Sequence, residues 1–572
     1  MHQKLIEQRK PGATICPVII SSDKTQVTLF RSKQAYPVYL TIGNIPKHIR
    51  RKPSQLAHVL LAYLPTTKLE HIENKAARRR SLANLFHSCM SNILGSLERA
   101  GIDGVEMASG DGIIRHVHLI VTVDACDYPE QVLVTCTKSG DCPKCLTKND
   151  ELGDNDINLK YRDLSMILDI LRLADTDVPE FIKACDEHHI KPVYHPFWQD
   201  LPYVDIYRSI TADALHQIYQ GIIKHVFSWV KSLYGASEID ARCRAFPPNH
   251  HIRIFSKGIS SLSRLTGQEH SQMCRFLMGL LIAAPLPHGH SPARVLRAIR
   301  AILDFTYLAQ LPIHSTSTLH RLQNALNAFH ENKAVFIDLG IRKNMNLPKL
   351  HAFHHYIESI ILFGTIDNYN TEHTERLHID LAKDAHRATN QKDEFVQMTI
   401  WLERKEKIMR HNKFIEWRLS NRPIGSTLRR QIRSGILALT PSRLIKMPKH
   451  PTIRAVSFDQ IERKYGASYF RAALARYIVI VNNPHLTTNP QIEAKADSLD
   501  FEFNKVSVYH KMKFCTKSDG SAPREVLDSV HAHPGQPNTR HPERGTPARF
   551  DMAIVSSSAS GLPNQGILDG MY

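Results

Sequence analysis

The spacing of apolar residues changes several times along this chain, and each change marks an element. Ile15–Ile20 is a short apolar run closed by Ser21, Ser22 and Asp23. Ala35–Gly43 (AYPVYLTIG) and Ala57–Leu64 (AHVLLAYL) have the length and the β-branched and aromatic content of two more strands. From Ser81 to Ala100 the period lengthens to that of a helix. Leu82, Leu85, Cys89, Ile93 and Leu97 share one side, and Gly101 is the stop. Val117–Ala125 (VHLIVTVDA) returns to a buried-strand pattern and runs into Cys126 and Asp127. The predicted order is β-β-β-α-β.

That order is the one expected of an RNase H-like α/β core built on a mixed sheet. In such a sheet the ends of the first and fourth strands are neighbours. Asp23 and Asp127 are then placed to share Mg²⁺, or Mn²⁺ in its stead, an ion that takes few protein carboxylates and keeps water and phosphate oxygens. Asp124 is the alternative to Asp127, and Asp111 is a weaker third choice. A third acid on a later helix would complete a two-metal site for attack on a phosphodiester.

The stretch Asp367–Asn390 supplies it. DNYN is turn-prone, Asn370 and Thr371 are both suitable N-caps, and a run without Gly or Pro follows. Leu377, Leu381, Ala385 and Ala388 fall at helical spacing for docking on a core. Glu375 is the candidate ligand. Glu372 is the catalytic alternative, although it equally suits the helix N-terminus.

Between the second and third acids the chain is helical, from about Tyr161 to His355, with Asp213–His216 opening a helix that tolerates Gly221 and ends at Gly235. Cys142-Pro-Lys-Cys145 precedes that insertion. One such pair is half of a zinc site, and Cys136, His188, His189, His195 and His216 remain open as completing ligands. His351, His354 and His355 are expected to be solvated or packed. The domain plan is residues 1–150 as the first part of the core, 151–360 as a helical insertion, and 361–450 as the last part of the core. Residues 451–515 make a small C-terminal β-containing or α+β module, with strand-like TIRAVSF, RYIVIVNN and NKVSVYH, and 516–572 a disordered tail.

Charge changes the picture of partners. Lys plus Arg is 73 against 55 Asp plus Glu, a net charge of +18, with pI near 9.4. Trp401–His450 is the most basic stretch, with thirteen Lys and Arg against three Glu. Arg404, Arg429, Arg430 and Arg433 are its candidate phosphate contacts, so the expected partner is nucleic acid. The opening MHQKLIEQRKPG lacks the apolar core of a signal peptide, and no apolar run is long enough for a membrane helix. Ten scattered cysteines do not form a disulfide framework, which suits a reducing compartment.

Four segments then carry a resemblance: VIISSDKTQVTLFRSKQAYPVYLTIGNIPK, VDACDYPEQ with CPKC behind it, DALHQIYQGIIKH, and NTEHTERLHIDLAKDAHRATN. In this order, over roughly residues 13–420, they resemble the Plavaka transposases of fungal mobile elements, of the Kyakuja–Dileera–Zisupton group. The resemblance implies a DDE transposase fold with a helical insertion, acting on transposon-end DNA in the nucleus. It carries the catalytic role to Asp23, Asp127 and Glu375, zinc to the CPKC pair, and a D-x-x-H signature to Asp213 and His216. Only about a dozen residues precede the first strand where such relatives carry a DNA-binding segment, so an N-terminally truncated and inactive copy is one expectation. A domesticated, non-catalytic nucleic-acid-binding protein is the alternative. A homo-oligomer is left open.

Overall fold

The computed structural model describes residues 12–28, 33–109, 113–155, 159–247, 252–253, 255–263, 265–286, 289–420, 443–446, 448, 450–483, 486, 488–517, 525–535 and 548–550. The chain divides into two compact units, residues 1–239 with 260–416 and residues 240–259 with 417–572. Asp111 lies outside the described residues, as do Arg429, Arg430 and Arg433.

The first unit is built on a mixed sheet. Strands β1 (Thr14–Ser22), β2 (Pro37–Ile42) and β3 (Val59–Tyr63) form an antiparallel meander, with Ile20 opposite Leu40 and Leu40 opposite Val59. Helix α1 (Lys75–Leu94) follows, its first turn closed by the Asn74 side chain, which accepts from the N–H groups of Ala76 and Ala77. Then come β4 (Val105–Ala108) and the long β5 (Ile114–Ala125). β5 runs parallel to β1, with Ile20 opposite Asp124. Helix α2 (Tyr128–Val134) starts directly behind it, and much later β6 (Ile210–Thr211) pairs in parallel with the end of β5. The strand order is β3-β2-β1-β5, with β4 and β6 sharing the far edge of β5.

Central strands covered on both faces read as continuous apolar runs rather than alternating ones. This is why Val18–Ser22 and Val121–Ala125 are buried almost without interruption, Thr122 being the exception. Val18, Ile20, Val38 and Val121 belong to one apolar cluster with Phe86, Met90 and Leu94 of α1. The buried stripe of α1 is Ala83, Phe86, Met90 and Leu94, and the expected Cys89, Ile93 and Leu97 flank it. A second helix, Ser96–Ile102, follows and ends one residue past Gly101, close to the expected stop. The bulky Phe86 and Met90 fill the space over the sheet and rotate the stripe by one position. β4 was not foreseen: it is a four-residue edge strand, Val-Glu-Met-Ala, and all four residues are exposed.

From Ala214 to Phe363 the unit is helical. A wide π-helical segment, Ala214–Ile223, runs into α3 (Lys224–Tyr234), which ends at the left-handed Gly235. Helices α4 (Gly267–Leu281), α5 (Ala293–Ala309) and α6 (Thr316–Asn332) follow, then α7 (Pro348–His351), a tight turn over Ala352–His355, and α8 (Tyr356–Phe363). The short α9 (Glu372–His378) passes into a second π segment, Ile379–Lys383. Ala388 is exposed beyond the end of that helical region. Helix α10 (Glu394–Ser420) carries Arg404 on an exposed position.

The second unit contains β7 (Arg443–Lys446), β8 (Ile453–Ser457), α11 (Phe458–Tyr465), α12 (Phe470–Asn482), α13 (Asn489–Asp497), β9 (Lys505–Val508), β10 (Lys511–Lys517), β11 (Glu525–His533) and β12 (Arg549–Phe550). Two sequence expectations fail here. RYIVIVNN lies in helix α12, where Ala475 and Val479, one turn apart, bury against Ala496 of α13. A run of β-branched residues does not separate strand from helix when a packing partner selects the face. Within the segment expected to be disordered, Glu525–His533 is a strand, held by antiparallel pairing to Lys511–Lys517 that local composition does not reveal.

Candidate metal centres

The parallel pairing of β1 with β5 sets the first centre. Asp23 lies three residues past Ile20, and Asp127 three past its partner Asp124, so both acids leave the sheet at the same edge. Asp127 caps α2, its carboxylate accepting from the Glu130 N–H at 3.0 Å. Burial, then the carboxylates of Glu375 and Asp127, push the Asp23 carboxyl up to about 8. Asp124 is different: it is buried with one oxygen unpartnered, and burial pushes it up to about 7.

Glu375 arrives from α9. Thr374 beside it accepts a hydrogen bond from Ser21 at 3.3 Å, which docks the helix on the end of β1. Glu372, one turn earlier, is exposed and only accepts from Asn370 at 3.3 Å. Ligand atoms of Asp23, Glu375 and His378 all lie within 4.8 Å of one another.

Asp213 and His216 explain the orientation of Glu375. Asp213 is fully buried and caps the π-helical segment, accepting from the His216 N–H at 2.9 Å. Its other oxygen meets Nδ1 of His216 at 3.0 Å and the hydroxyl of Thr371. Nε2 of His216 then reaches Glu375 at 3.3 Å. Burial works against a charged His216, but Asp213 and Glu375 outweigh it and raise its pKa to about 10. The same contacts hold Glu375 well below the usual carboxylate range despite its burial. The carbonyl of His216 accepts from Nζ of Lys349 at 2.9 Å. Gly221 permits that approach, since a Cβ there would stand 2.7 Å from Cδ of Lys349.

The second centre is Cys142, Cys145, His351 and His355, all buried, with ligand atoms within 4.8 Å. Nε2 of His355 lies 3.2 Å from Sγ of Cys142, and Nε2 of His351 lies 3.1 Å from Sγ of Cys145. The Lys144 N–H points at Sγ of Cys142 at 3.4 Å, and Nζ of Lys144 donates to the Ile210 carbonyl of β6 at 2.9 Å. Hydrogen bonding from Cys142, then His351 and His355, overcomes burial and holds the Cys145 thiol far below its usual value. Two thiols and two imidazoles at these distances can bind a metal ion, and their chemistry fits a structural one.

Among known families, the model of the Plavaka transposase matches residues 1–230. This stretch is similar to the Plavaka transposase family. It carries Asp23, Asp127, the CPKC pair, Asp213 and His216, and it ends before His351 and Glu375. No curated protein matches the chain. Among the described residues, no helix is long and apolar enough to cross a membrane.

The structure thus brings Asp23, Glu375 and His216 together beside this Plavaka-type sheet and leaves Glu372 outside. The zinc-ligand alternatives are engaged elsewhere: Cys136 meets Nε2 of His87 at 3.4 Å, His189 meets Asp141 at 3.1 Å, and His195 meets Asp175 at 3.1 Å. His188 is outside the cluster as well. His351 and His355 were expected to be solvated or packed and instead face the two cysteines. Their spacing was a usable signal, because C-x-x-C with H-x-x-x-H is a zinc-ligand pattern even when the halves are far apart. His378 was missed, although Glu-x-x-His on one helix puts both side chains on the same face.

Proposed function

We propose that this chain is a metal-dependent DNA strand-cleavage and strand-transfer enzyme of DDE type, with an RNase H-like core, acting on the ends of a mobile element in the nucleus. The observation that carries the reading is the meeting of Asp23 and Glu375, from β1 and α9, within 4.8 Å at the edge where Asp127 also leaves the sheet. The strand order supports it, since β5 pairs in parallel with β1 and β6 pairs in parallel with β5. The Plavaka transposase match supports DNA as the substrate.

The donor set fits divalent cations: two repelling carboxylates with a third acting on them from α2. Bound there, Mg²⁺ or Mn²⁺ would supply activation of a water or 3′-hydroxyl and stabilise the leaving oxygen. The chain's own part is to hold and orient. Asp23 and Glu375 present their oxygens, His216 fixes the Glu375 carboxylate, and Asp127, anchored by its cap hydrogen bond, adds negative charge. The net charge of +18 suits a polyanion, with Arg404, Arg429, Arg430 and Arg433 as phosphate contacts. Zinc at Cys142, Cys145, His351 and His355 would tie the start of the helical insertion to the segment leading into α9.

The test is cleavage of labelled duplex bearing the element's terminal repeats, in Mg²⁺ or Mn²⁺. Asp23→Asn, Asp127→Asn and Glu375→Gln should each abolish cleavage while DNA retention in Ca²⁺ persists, and Glu372→Gln should cleave normally. Retention of DNA by the unaltered chain with no cleavage in either metal would support the non-catalytic nucleic-acid-binding alternative instead.

A further inference from the structure

His378 is the last residue of α9, one turn beyond Glu375. Only 1 % of its side chain is exposed, and neither ring nitrogen has a hydrogen-bond partner. A neutral imidazole carries one N–H and one lone pair, and burying both without partners is unfavourable. Tyr39 of β2 packs against the ring at 5.7 Å between centroids, which fixes the ring without satisfying it. Nδ1 stands 3.5 Å from Oε2 of Glu375, an ion-pair distance. The ring therefore ends among the oxygens of Asp23 and Glu375.

We propose that His378 is a direct ligand of the cation held by Asp23 and Glu375, and that its nitrogen makes this centre prefer Mn²⁺ and similar first-row cations over Mg²⁺. The proposal rests on the reading of Asp23 and Glu375 as cation ligands. Mg²⁺ takes oxygen donors in a strict octahedron, whereas first-row transition ions accept carboxylate and imidazole together. A site of oxygen donors alone would leave that choice to ion abundance. One nitrogen donor shifts it, and it also gives the buried lone pair of His378 a partner.

The experiment uses the full chain, zinc-loaded at its cysteines, titrated separately with Mn²⁺ and Mg²⁺, with spin-echo spectroscopy of the bound Mn²⁺. The unaltered chain should show nitrogen modulation from a directly bound imidazole. His378→Gln, which substitutes an oxygen donor, should lose that modulation and weaken Mn²⁺ binding by about 10-fold or more while Mg²⁺ binding holds. Asp23→Asn should remove the Mn²⁺ signal altogether. Bound Mn²⁺ that depends on Asp23 but lacks nitrogen modulation in the unaltered chain would overturn the role of His378 and leave the carboxylate centre standing. Mn²⁺ binding indifferent to Asp23→Asn would overturn both. Because the decisive spectrum is that of the unaltered chain, a misfolded His378→Gln does not blunt the test.

Discussion

The Cys142–Cys145–His351–His355 group and the Asp23–Glu375–His378 group lie in the same unit and handle charge in opposite ways. In the first, every ligand is buried and each sulfur already faces an imidazole. In the second, Asp23 and Glu375 stay partly open and the carboxylates repel. A closed set of four ligands suits an ion that only holds structure, whereas a catalytic ion needs an open side for substrate. The difference also predicts opposite responses to losing a ligand, because one group is stabilised by its members and the other is strained by them.

The largest effect is expected at the open centre. Asp23→Asn should lower strand cleavage by roughly 10³-fold or more, since a charged ligand is lost. In a metal chelator the same variant should melt no lower than the unaltered chain, because a carboxyl that burial, then Glu375 and Asp127, hold against ionisation has gone. A clear drop in melting temperature would erase the contrast between the centres.

Cys142→Ser probes the closed centre. It should remove stoichiometric zinc and lower the melting temperature by roughly 5–10 °C, as the binding free energy of a structural ion is folding free energy. Elemental analysis with calorimetry checks it, and unchanged zinc content would deny the closed centre its metal.

His216→Gln sharpens the comparison by loosening an open-centre ligand without removing one. Cleavage should fall about 10–100-fold while zinc content stays constant. Its pH profile should change too, since the unaltered residue is charged up to about 10. A loss with an unchanged profile would reduce it to a packing residue.

The smallest effect concerns Asp124, which is buried near the open centre without belonging to it. Its pKa is about 7 in the fold against an unfolded value of about 4. A raised carboxyl pKa means that folding opposes ionisation, so stability is lost as pH rises from about 4 to about 7 and the deficit is constant above. Asp124→Asn should therefore stabilise the fold at pH 8 by up to a few kcal/mol and progressively less as pH falls. Melting curves across that range check it. Loss of cleavage on the same substitution would move Asp124 into the centre in place of Asp127.

Much of the first unit was legible in the sequence. Apolar runs at Ile15–Ile20 and Val117–Ala125, each ending in an acid, are local signals, and β1 and β5 follow them closely. The turn-then-helix pattern around Glu375 is likewise local, and so is the capping of helices by Asp127 and Asp213. CPKC announced half of a metal site by its spacing alone.

What sequence left open was every choice among distant partners. Five candidates were open beside CPKC, and the fold selected two others, His351 and His355, by carrying α7 and the turn after it to the cysteines. Glu372 and Glu375 differ by less than one helical turn, and the contacts of Thr374 with Ser21, Thr371 with Asp213 and Glu375 with His216 turn one inward and leave the other in solvent. The strand-like RYIVIVNN became a helix for the same reason. Local chemistry determines which residues can ligate, cap or pair. Which of them do is decided by packing between segments far apart in the chain, because the energies that align them arise only once the core has formed.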